Sequence, residues 1–161
     1  MRLEPFCVAD RALYESLVFN EDAMRLNFGR VFTADEAALF FSAMLQANAA
    51  PSALGFYKVL TDIDGAETFI GMGALKENED YGAIEIEYML RPAFWRRGFG
   101  TALVERLLKT AKETGLLSAA VALTDPVNLP SQRVLIKNGF TKLRAFENDD
   151  GEPVILFQKK L

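Results

Sequence analysis

The residues best suited to chemistry lie in one short stretch, residues 91–101, which reads RPAFWRRGFGT. Two neighbouring arginines supply charge-assisted hydrogen-bond donors, and two glycines let a ligand approach the main chain closely. The stretch opens a predicted helix, and the free backbone N–H groups at a helix N-terminus bind anions. It therefore predicts a pyrophosphate cradle made by Arg96, Arg97, Gly98, Phe99, Gly100 and Thr101.

These residues alone leave a structural alternative open. A glycine-rich turn between a strand and a helix also occurs without any ligand, with its arginines solvated. The dinucleotide-binding fingerprint is absent because Leu103 stands where a third glycine belongs. The P-loop is absent as well, since no Gly-Lys-Ser/Thr follows the glycines.

Glu85 and Glu87 are the leading candidates for a general base. They alternate with Ile84, Ile86 and Tyr88, so both carboxylates are predicted on one face of a strand. Carboxylates in a covered sheet are costly unless they are solvated, paired or functional, and two close together raise the pKa of one of them. Three roles stay open: direct base, anchor for a cationic substrate, and base acting through a water molecule at Glu85.

The composition removes whole classes of mechanism. The 161-residue chain has no histidine, which excludes Ser-His-Asp and Cys-His triads and histidine-based zinc sites. Its one cysteine, Cys7, cannot form an internal disulfide or a four-thiolate metal site. We therefore expect no metal centre, and a reducing compartment.

Charge and hydropathy limit the partners. The net charge of -4 lacks the surplus of Lys and Arg that binds nucleic acid. The N-terminal segment carries Arg2, Glu4 and Asp10 where a signal peptide is apolar, and the longest apolar stretch, residues 37–45, is too short to span a bilayer. We expect a cytoplasmic protein that binds neither nucleic acid nor membrane.

The elements that position these residues follow from periodicity and turn signals. Helices are predicted over residues 10–19, 34–46, 99–114 and 128–138, and strands over 3–6, 55–60, 68–75, 83–90, 117–123, 140–147 and 153–159. The order predicts a single α/β domain over residues 1–161. In it, strands 83–90 and 117–123 are joined by a helix and should be parallel neighbours.

Individual residues set the expected boundaries of these elements. Asp10 should cap the first helix, and the pair Thr33 and Glu36 predicts a capping box at the start of the second. Gly71 and Gly73 are expected bulge points. The dipeptides Asp64-Gly65 and Asp150-Gly151 are expected to close hairpins.

Three blocks of the sequence resemble the GNAT acetyltransferases, and in particular the branch of ribosomal-protein N-terminal acetyltransferases. The stretch Trp95-x-x-Gly98-x-Gly100-Thr101 is similar to the coenzyme A signature Gln/Arg-x-x-Gly-x-Gly/Ala, with the tryptophan typical of that branch. Residues 85–92 and 128–140 match the same branch. The blocks follow one another in the family's order over residues 83–142.

The resemblance implies an α/β GNAT fold, with a mixed, mostly antiparallel sheet splayed between two central parallel strands and flanked by helices. It also implies direct transfer of an acetyl group from acetyl-CoA to a primary amine in a ternary complex. Carried over by position, the backbone of Tyr88, Met89 and Leu90 would pair with the pantetheine arm, and Asn128 would contact it across the split. Residues 96–101 would hold the pyrophosphate, and Ser131 would lie near the sulfur.

One departure from the family concerns the leaving thiolate. Many members carry a tyrosine four residues before a Gly-Phe pair, where it protonates the thiolate, and this chain has Leu135 there. Ser131 is the nearest hydroxyl in the sequence. Tyr81 and Tyr88 are further hydroxyl groups without support from a motif.

The resemblance favours a protein N-terminus as acceptor, while amino acids, polyamines and aminoglycoside-like amines stay open. Segments 21–35 and 147–153 should shape the acceptor site, with Phe40, Phe41, Met44 and Phe56 in the core or the pocket wall. A non-catalytic acyl-CoA-binding module and an interaction domain are the alternative functions. Many relatives form dimers, so a homodimer is open as well.

Overall fold

A seven-stranded sheet organises the chain in a computed structural model that describes residues 1–149 and 151–161. The strands are β1 Arg2–Pro5, β2 Gly55–Ile63, β3 Ala66–Asn78, β4 Ala83–Leu90, β5 Ala119–Thr124, β6 Thr141–Glu147 and β7 Pro153–Lys160. Their spatial order is β1-β2-β3-β4-β5-β7-β6. Every neighbouring pair is antiparallel except β4 and β5, which are parallel as predicted.

Helices cover both faces of the sheet. They are α1 Arg11–Val18, α2 Glu21–Arg25, α3 Ala34–Asn48, α4 Phe99–Thr114 and α5 Leu129–Lys137. Helix α4 packs its apolar stripe against the central strands in one core, whereas α1, α2 and α3 build a second core with β2, β3 and Met89 of β4. The mixed sheet between helical layers has the predicted architecture. No helix among the described residues has the length and apolarity needed to cross a bilayer.

Two predicted boundaries are present, a capping box at the start of α3 and a turn between β2 and β3. Thr33 Oγ1 accepts the Glu36 N–H at 3.2 Å, and Glu36 Oε2 accepts the Thr33 N–H at 2.8 Å, so the capping box is confirmed. Asp64 and Gly65 both have positive φ in the β2–β3 hairpin, as a two-residue turn of type I′ requires. At the β6–β7 hairpin, the predicted turn residue Asp150 lies outside the described residues.

Two expectations about local structure were wrong. The Asp10 carboxylate does not cap α1: it accepts the Cys7 N–H at 2.9 Å and a hydrogen bond from Lys58 Nζ at 2.8 Å. Burial alone would raise the pKa of Asp10, but these two donors hold it below its usual value. The second wrong expectation is a bulge at Gly73, which pairs regularly with β2. The register between β2 and β3 shifts at residues 69–71 of β3, so the bulge lies beside Gly71.

The parallel pair at the centre of the sheet is short. Only Ile84 with Ala120 and Glu85 with Val121 are in register between β4 and β5. Beyond them the two strands diverge, while β4 stays paired with β3 as far as Leu90. Residues 86–90 of β4 therefore have a neighbouring strand on one side and an opening on the other.

Gly71 holds β3 close to the end of β4 that borders this opening. A Cβ at residue 71 would lie 2.2 Å from Met89 O and 2.9 Å from Leu90 Cα, both backbone atoms that cannot move independently. A Cβ at residue 73 would meet only the side-chain ends of Leu107, at 3.0 Å, and Leu103, at 3.5 Å. Among the glycines of the described strands, Gly71 is thus the one whose added Cβ would collide with backbone atoms.

We predict that Gly71→Ala lowers the free energy of unfolding by about 2 kcal/mol or more, as overpacking against backbone does. Gly73→Ala is the matched control on the same strand, and it should lose clearly less because a leucine side chain can shift. Urea unfolding of both variants measures the difference. Equal losses would contradict the close approach of β3 to β4.

Candidate active site

A cavity of about 470 Å³ opens where β4 and β5 separate. Its walls come from residues 86–89 of β4, residues 122–125 at the end of β5, the first turns of α5, and the helices on the other face of the sheet. Because the strands have parted, the cavity reaches from one face of the sheet to the other. Its lining therefore combines residues of both cores, such as Met44 and Leu135.

Glu87 projects into the cavity and pairs there with Lys76 of β3. The cavity leaves 42% of the Glu87 side chain exposed, but protein surrounds the cavity on most sides. The resulting loss of hydration raises the pKa of Glu87. Lys76 opposes the rise and Glu85 adds to it, and the pKa of Glu87 stays above its usual value. Burial would lower the pKa of Lys76, but Glu87 and Glu85 outweigh it and hold that pKa high.

Glu85 takes a different position from Glu87. Both carboxylates lie on the predicted common face, but Glu85 accepts a hydrogen bond from Asn78 Nδ2 at 2.9 Å and does not line the cavity. It acts on the cavity through its charge, which raises the pKa of Glu87. The structure therefore separates two residues that the sequence left equivalent.

Tyr88 and Ser131 meet across the cavity from β4 and α5. The Tyr88 hydroxyl lies 2.8 Å from Ser131 Oγ and donates to the Ser131 carbonyl at 3.2 Å. Burial raises the pKa of Tyr88 to about 12, against the opposing effect of the hydrogen bond to Ser131. The site therefore holds a protonated tyrosine in contact with the predicted serine.

Leu135 closes the same part of the cavity wall and is fully buried. The sequence predicts a role for the Tyr88 backbone but contains no motif for its hydroxyl. The alternation of residues along β4 could have indicated the hydroxyl. It places the Tyr88 side chain on the face opposite the glutamates, toward the helix that carries Ser131.

Asn128 lies at the N-cap of α5 and is mostly engaged by the protein. Its Oδ1 accepts the Ser131 N–H at 3.1 Å, and its Nδ2 donates to Leu26 O at 3.0 Å. These bonds connect α5 to the segment after α2 and position Ser131. The residue also borders the cavity.

The predicted cradle lies at the start of α4. Gly98 is the N-cap with φ 84°, and a glycine has no side chain that could cap the helix. The N–H groups of the first turn therefore point out of the helix without a partner inside it. Arg96 adopts a left-handed φ of 58°, and the Arg97 guanidinium lies 5.3 Å from the centre of the Phe99 ring. Both arginine side chains are exposed beside the helix end.

Trp95 fixes this loop to the open strand. Its indole N–H donates to Leu90 O at 2.8 Å, on the side of β4 that faces the opening. The Arg91 N–H donates to Ile70 O of β3. Because the backbone groups of successive residues point to opposite sides of a strand, those of Met89 also point toward β3. Those of Tyr88 and Leu90 point toward the opening. Among the three residues predicted to pair with a pantetheine arm, Tyr88 and Leu90 thus present backbone groups, and Met89 contributes its side chain to the cavity wall.

Gly100 and Asn138 hold the two helices of the site together. A Cβ at residue 100 would touch Val134 of α5 at 3.4 Å, so the glycine permits close packing of α4 on α5. Asn138 Nδ2 donates to Thr101 O at 3.3 Å and to Val134 O at 2.9 Å. In the part of the chain that the structure describes, no group of three or more His, Cys, Asp or Glu side chains could hold a metal ion.

Solved structures share this arrangement of strands and helices. A GNAT-family acetyltransferase from Bacillus anthracis superposes with a TM-score of 0.79 at 18% identity, covering 98% of this chain and 93% of its own. Spermidine N-acetyltransferase from Vibrio cholerae, in complex with CoA and spermine, gives 0.77 at 17% identity, covering 99% and 94%. Aminoglycoside acetyltransferase AAC(6')-Ib, in complex with coenzyme A, gives 0.78 at 19% identity, covering 98% and 93%. At these identities the similarity establishes the fold.

The sequence assigns the family. The family described as "Acetyltransferase (GNAT) domain" matches residues 1–141, and the chain belongs to it. No curated protein sequence is significantly similar to the chain. The predicted fold and enzyme class, an acetyltransferase of the GNAT family, are confirmed, while the comparisons give no support to the narrower ribosomal-protein branch.

Proposed function

We propose that this chain transfers the acetyl group of acetyl-CoA directly to a primary amine bound in the cavity. The observation that carries the proposal is the convergence of three features: an uncapped helix N-terminus at Gly98, an open edge of β4, and a cavity that contains Glu87 and the Tyr88–Ser131 pair. The first two fit a ligand with a diphosphate and an extended amide-containing arm. The third supplies groups that accept and donate protons.

The residues that would hold acetyl-CoA are those of the cradle and the opening. N–H groups and guanidinium groups of residues 96–101 bind phosphate oxygens, and the backbone of Tyr88 and Leu90 pairs with the amides of the arm like an added strand. When bound, acetyl-CoA supplies an acetyl thioester. One of the two N–H groups of this edge, that of Tyr88 or that of Leu90, would polarise its carbonyl, and the other would pair with the arm.

Glu87 is the general base in this proposal. A primary amine attacks the acetyl carbon only in its neutral form, and it must lose one further proton as the C–N bond forms. Glu87 accepts that proton because it lines the cavity and its raised pKa brings it closer to neutral pH. In this proposal Glu85 tunes the pKa of Glu87 from outside the cavity.

The Tyr88–Ser131 pair protonates the leaving thiolate. As the C–S bond breaks, the electron pair stays on sulfur, which needs a proton that Leu135 cannot give. Ser131 donates it as the Tyr88 hydroxyl, 2.8 Å away, turns its own proton from the Ser131 carbonyl to Ser131 Oγ. Solvent then returns a proton to Tyr88. Hydrogen-bonded hydroxyls make such a relay without any histidine, which this chain lacks.

The identity of the acceptor, the domain organisation, the cellular location and the oligomeric state also stay proposals. A protein N-terminus is the acceptor that the sequence resemblance favours, and the spermidine and aminoglycoside enzymes with the same fold make small amines a second source. A single domain over residues 1–161 is supported by the one sheet that contains both β1 and β7. The cytoplasmic location and a homodimer stay predictions from composition and from the resemblance.

We predict that the pH dependence of kcat/KM for the amine contains a limb set by Glu87. Activity rises as Glu87 loses its proton, at a pH above the ordinary pKa of glutamate. Lys76→Met moves this limb to higher pH because Lys76 lowers the pKa of Glu87, and Glu85→Gln moves it to lower pH because Glu85 raises that pKa. Glu87→Gln removes the limb and lowers kcat by about 10²-fold or more.

The profiles also separate a base from an anchor for the substrate. If Glu87→Gln raised KM for the amine and left kcat and the limb unchanged, Glu87 would be an anchor only. Acetyl-CoA binding without turnover of any amine would favour the non-catalytic acyl-CoA-binding module.

We further predict that Tyr88→Phe and Ser131→Ala each lower kcat by roughly 10-fold or more, the lower range for a positioned proton donor. The double variant should lose little beyond the worse single variant, because the two hydroxyls act in one relay. Tyr81→Phe, a tyrosine outside the cavity wall, is the control and should keep kcat. Additive losses in the double variant would rule out the relay.

A further inference from the structure

We infer that the acceptor is a primary amine attached to an aromatic or other large apolar group. This inference rests on the proposed function and names the substrate class of the same site. It is carried by the wall of the cavity on the side of α2 and α3, where the amine would enter. That wall is apolar almost throughout.

The entrance is formed by three phenylalanine rings. Phe28 packs edge-on against Phe32 with centroids 5.0 Å apart, and Phe32 stacks on Phe40 with centroids 4.9 Å apart and planes at 16°. Phe28 is 57% exposed and Phe40 is 46% exposed, although both line the cavity. Exposing aromatic rings costs free energy, at about 25 cal/mol per Å² of apolar surface, which a bound apolar group would recover.

The inner wall continues the apolar surface toward Glu87. It is made by side chains of α3 and of the two strands below it, Met44, Phe56 and Met72, with Leu26 at the side. Methionine and phenylalanine side chains adapt to flat apolar groups and offer no hydrogen bond to a hydroxyl or ammonium group. A sugar or a polyamine chain placed here would lose water without gaining partners.

The α2 and α3 side of the cavity contributes no charged side chain. Among the described residues that line the cavity, the charged side chains are Lys76, Glu87 and Asp125. Lys76 and Glu87 pair across β3 and β4, and Asp125 follows β5, where its Oδ1 accepts the Val127 N–H at 2.7 Å. The wall on the α2 and α3 side therefore suits the apolar part of an acceptor, while Glu87 lies at the amine.

The first test compares two small amines, and then two tripeptides that carry the amine at their N-terminus. We expect kcat/KM for 2-phenylethylamine to exceed that for spermidine by about tenfold or more, the scale on which an apolar pocket discriminates. A tripeptide beginning with Phe, set against one beginning with Asp, tests the same preference at a peptide N-terminus. Comparing kcat/KM for the Phe tripeptide with that for 2-phenylethylamine then distinguishes a protein N-terminus from a free amine. 2-Phenylethylamine and the Phe tripeptide both carry an aromatic group beside a primary amine. The inference is therefore supported whichever of these two is the better substrate.

Variants at the entrance test whether the rings cause this preference. Phe40→Ala should lower kcat/KM for 2-phenylethylamine by roughly tenfold and lower the value for spermidine clearly less. Leu39→Ala is the matched control, since Leu39 is the neighbouring residue of α3, is 71% exposed and does not line the cavity. Phe40→Glu adds a carboxylate at the entrance and should raise kcat/KM for spermidine. Both Phe40 variants should fold because the ring is half exposed.

The outcomes separate the inference from the proposed function. Spermidine used as well as 2-phenylethylamine, or a preference unchanged in Phe40→Ala, overturns the inference and leaves the acetyltransferase proposal standing. Calorimetric binding of 2-phenylethylamine that depends on Phe40, without acetylation of any amine, supports the pocket and contradicts the catalytic proposal. Neither binding nor acetylation of any amine overturns both.

Discussion

The short pairing of β4 with β5 is the constraint on which the rest of this structure depends. Two register pairs, Ile84 with Ala120 and Glu85 with Val121, hold the strands together before they part. The remaining half of β4 then presents backbone groups that no strand satisfies, and such groups need a partner. Trp95 takes one of them, the carbonyl of Leu90, and leaves the rest facing the opening. A binding edge and a passage through the sheet thus arise from one interruption of strand pairing.

The groups proposed for chemistry reach the opening from three elements, β3, β4 and α5, and their positions explain their different properties. Glu87 and Lys76 come from neighbouring strands on one face, whereas Tyr88 and Ser131 meet on the other face. In the proposed reaction, the proton that leaves the amine and the proton that reaches the thiolate would therefore travel on opposite sides of the sheet. The wall of phenylalanines lies on the Glu87 side, so the acceptor and the acyl donor would enter from separate directions.

The sequence predicted the local features of the site well, because β4 and α4 have clear periodicity and glycine boundaries, and both match the predicted residues 83–90 and 99–114. Features that depend on tertiary contacts could not be predicted from it. The pairing of Lys76 with Glu87 depends on the register of β3 against β4, and the contact of Tyr88 with Ser131 depends on where α5 packs. Asp10 was misjudged for the same reason, since its partner Lys58 is distant in sequence.

Calorimetric titration of acetyl-CoA into two glycine variants tests most directly whether the start of α4 and the opening form the acyl-donor site. Gly98 and Gly115 stand at opposite ends of α4, both with positive φ and no atom within 4 Å of an added Cβ. Alanine should therefore cost each variant a similar 1–2 kcal/mol or so of stability. The account predicts one site in the wild type, affinity about tenfold or more weaker in Gly98→Ala, and unchanged affinity in Gly115→Ala. No binding to the wild type at millimolar acetyl-CoA, or equal affinity in both variants, would contradict it.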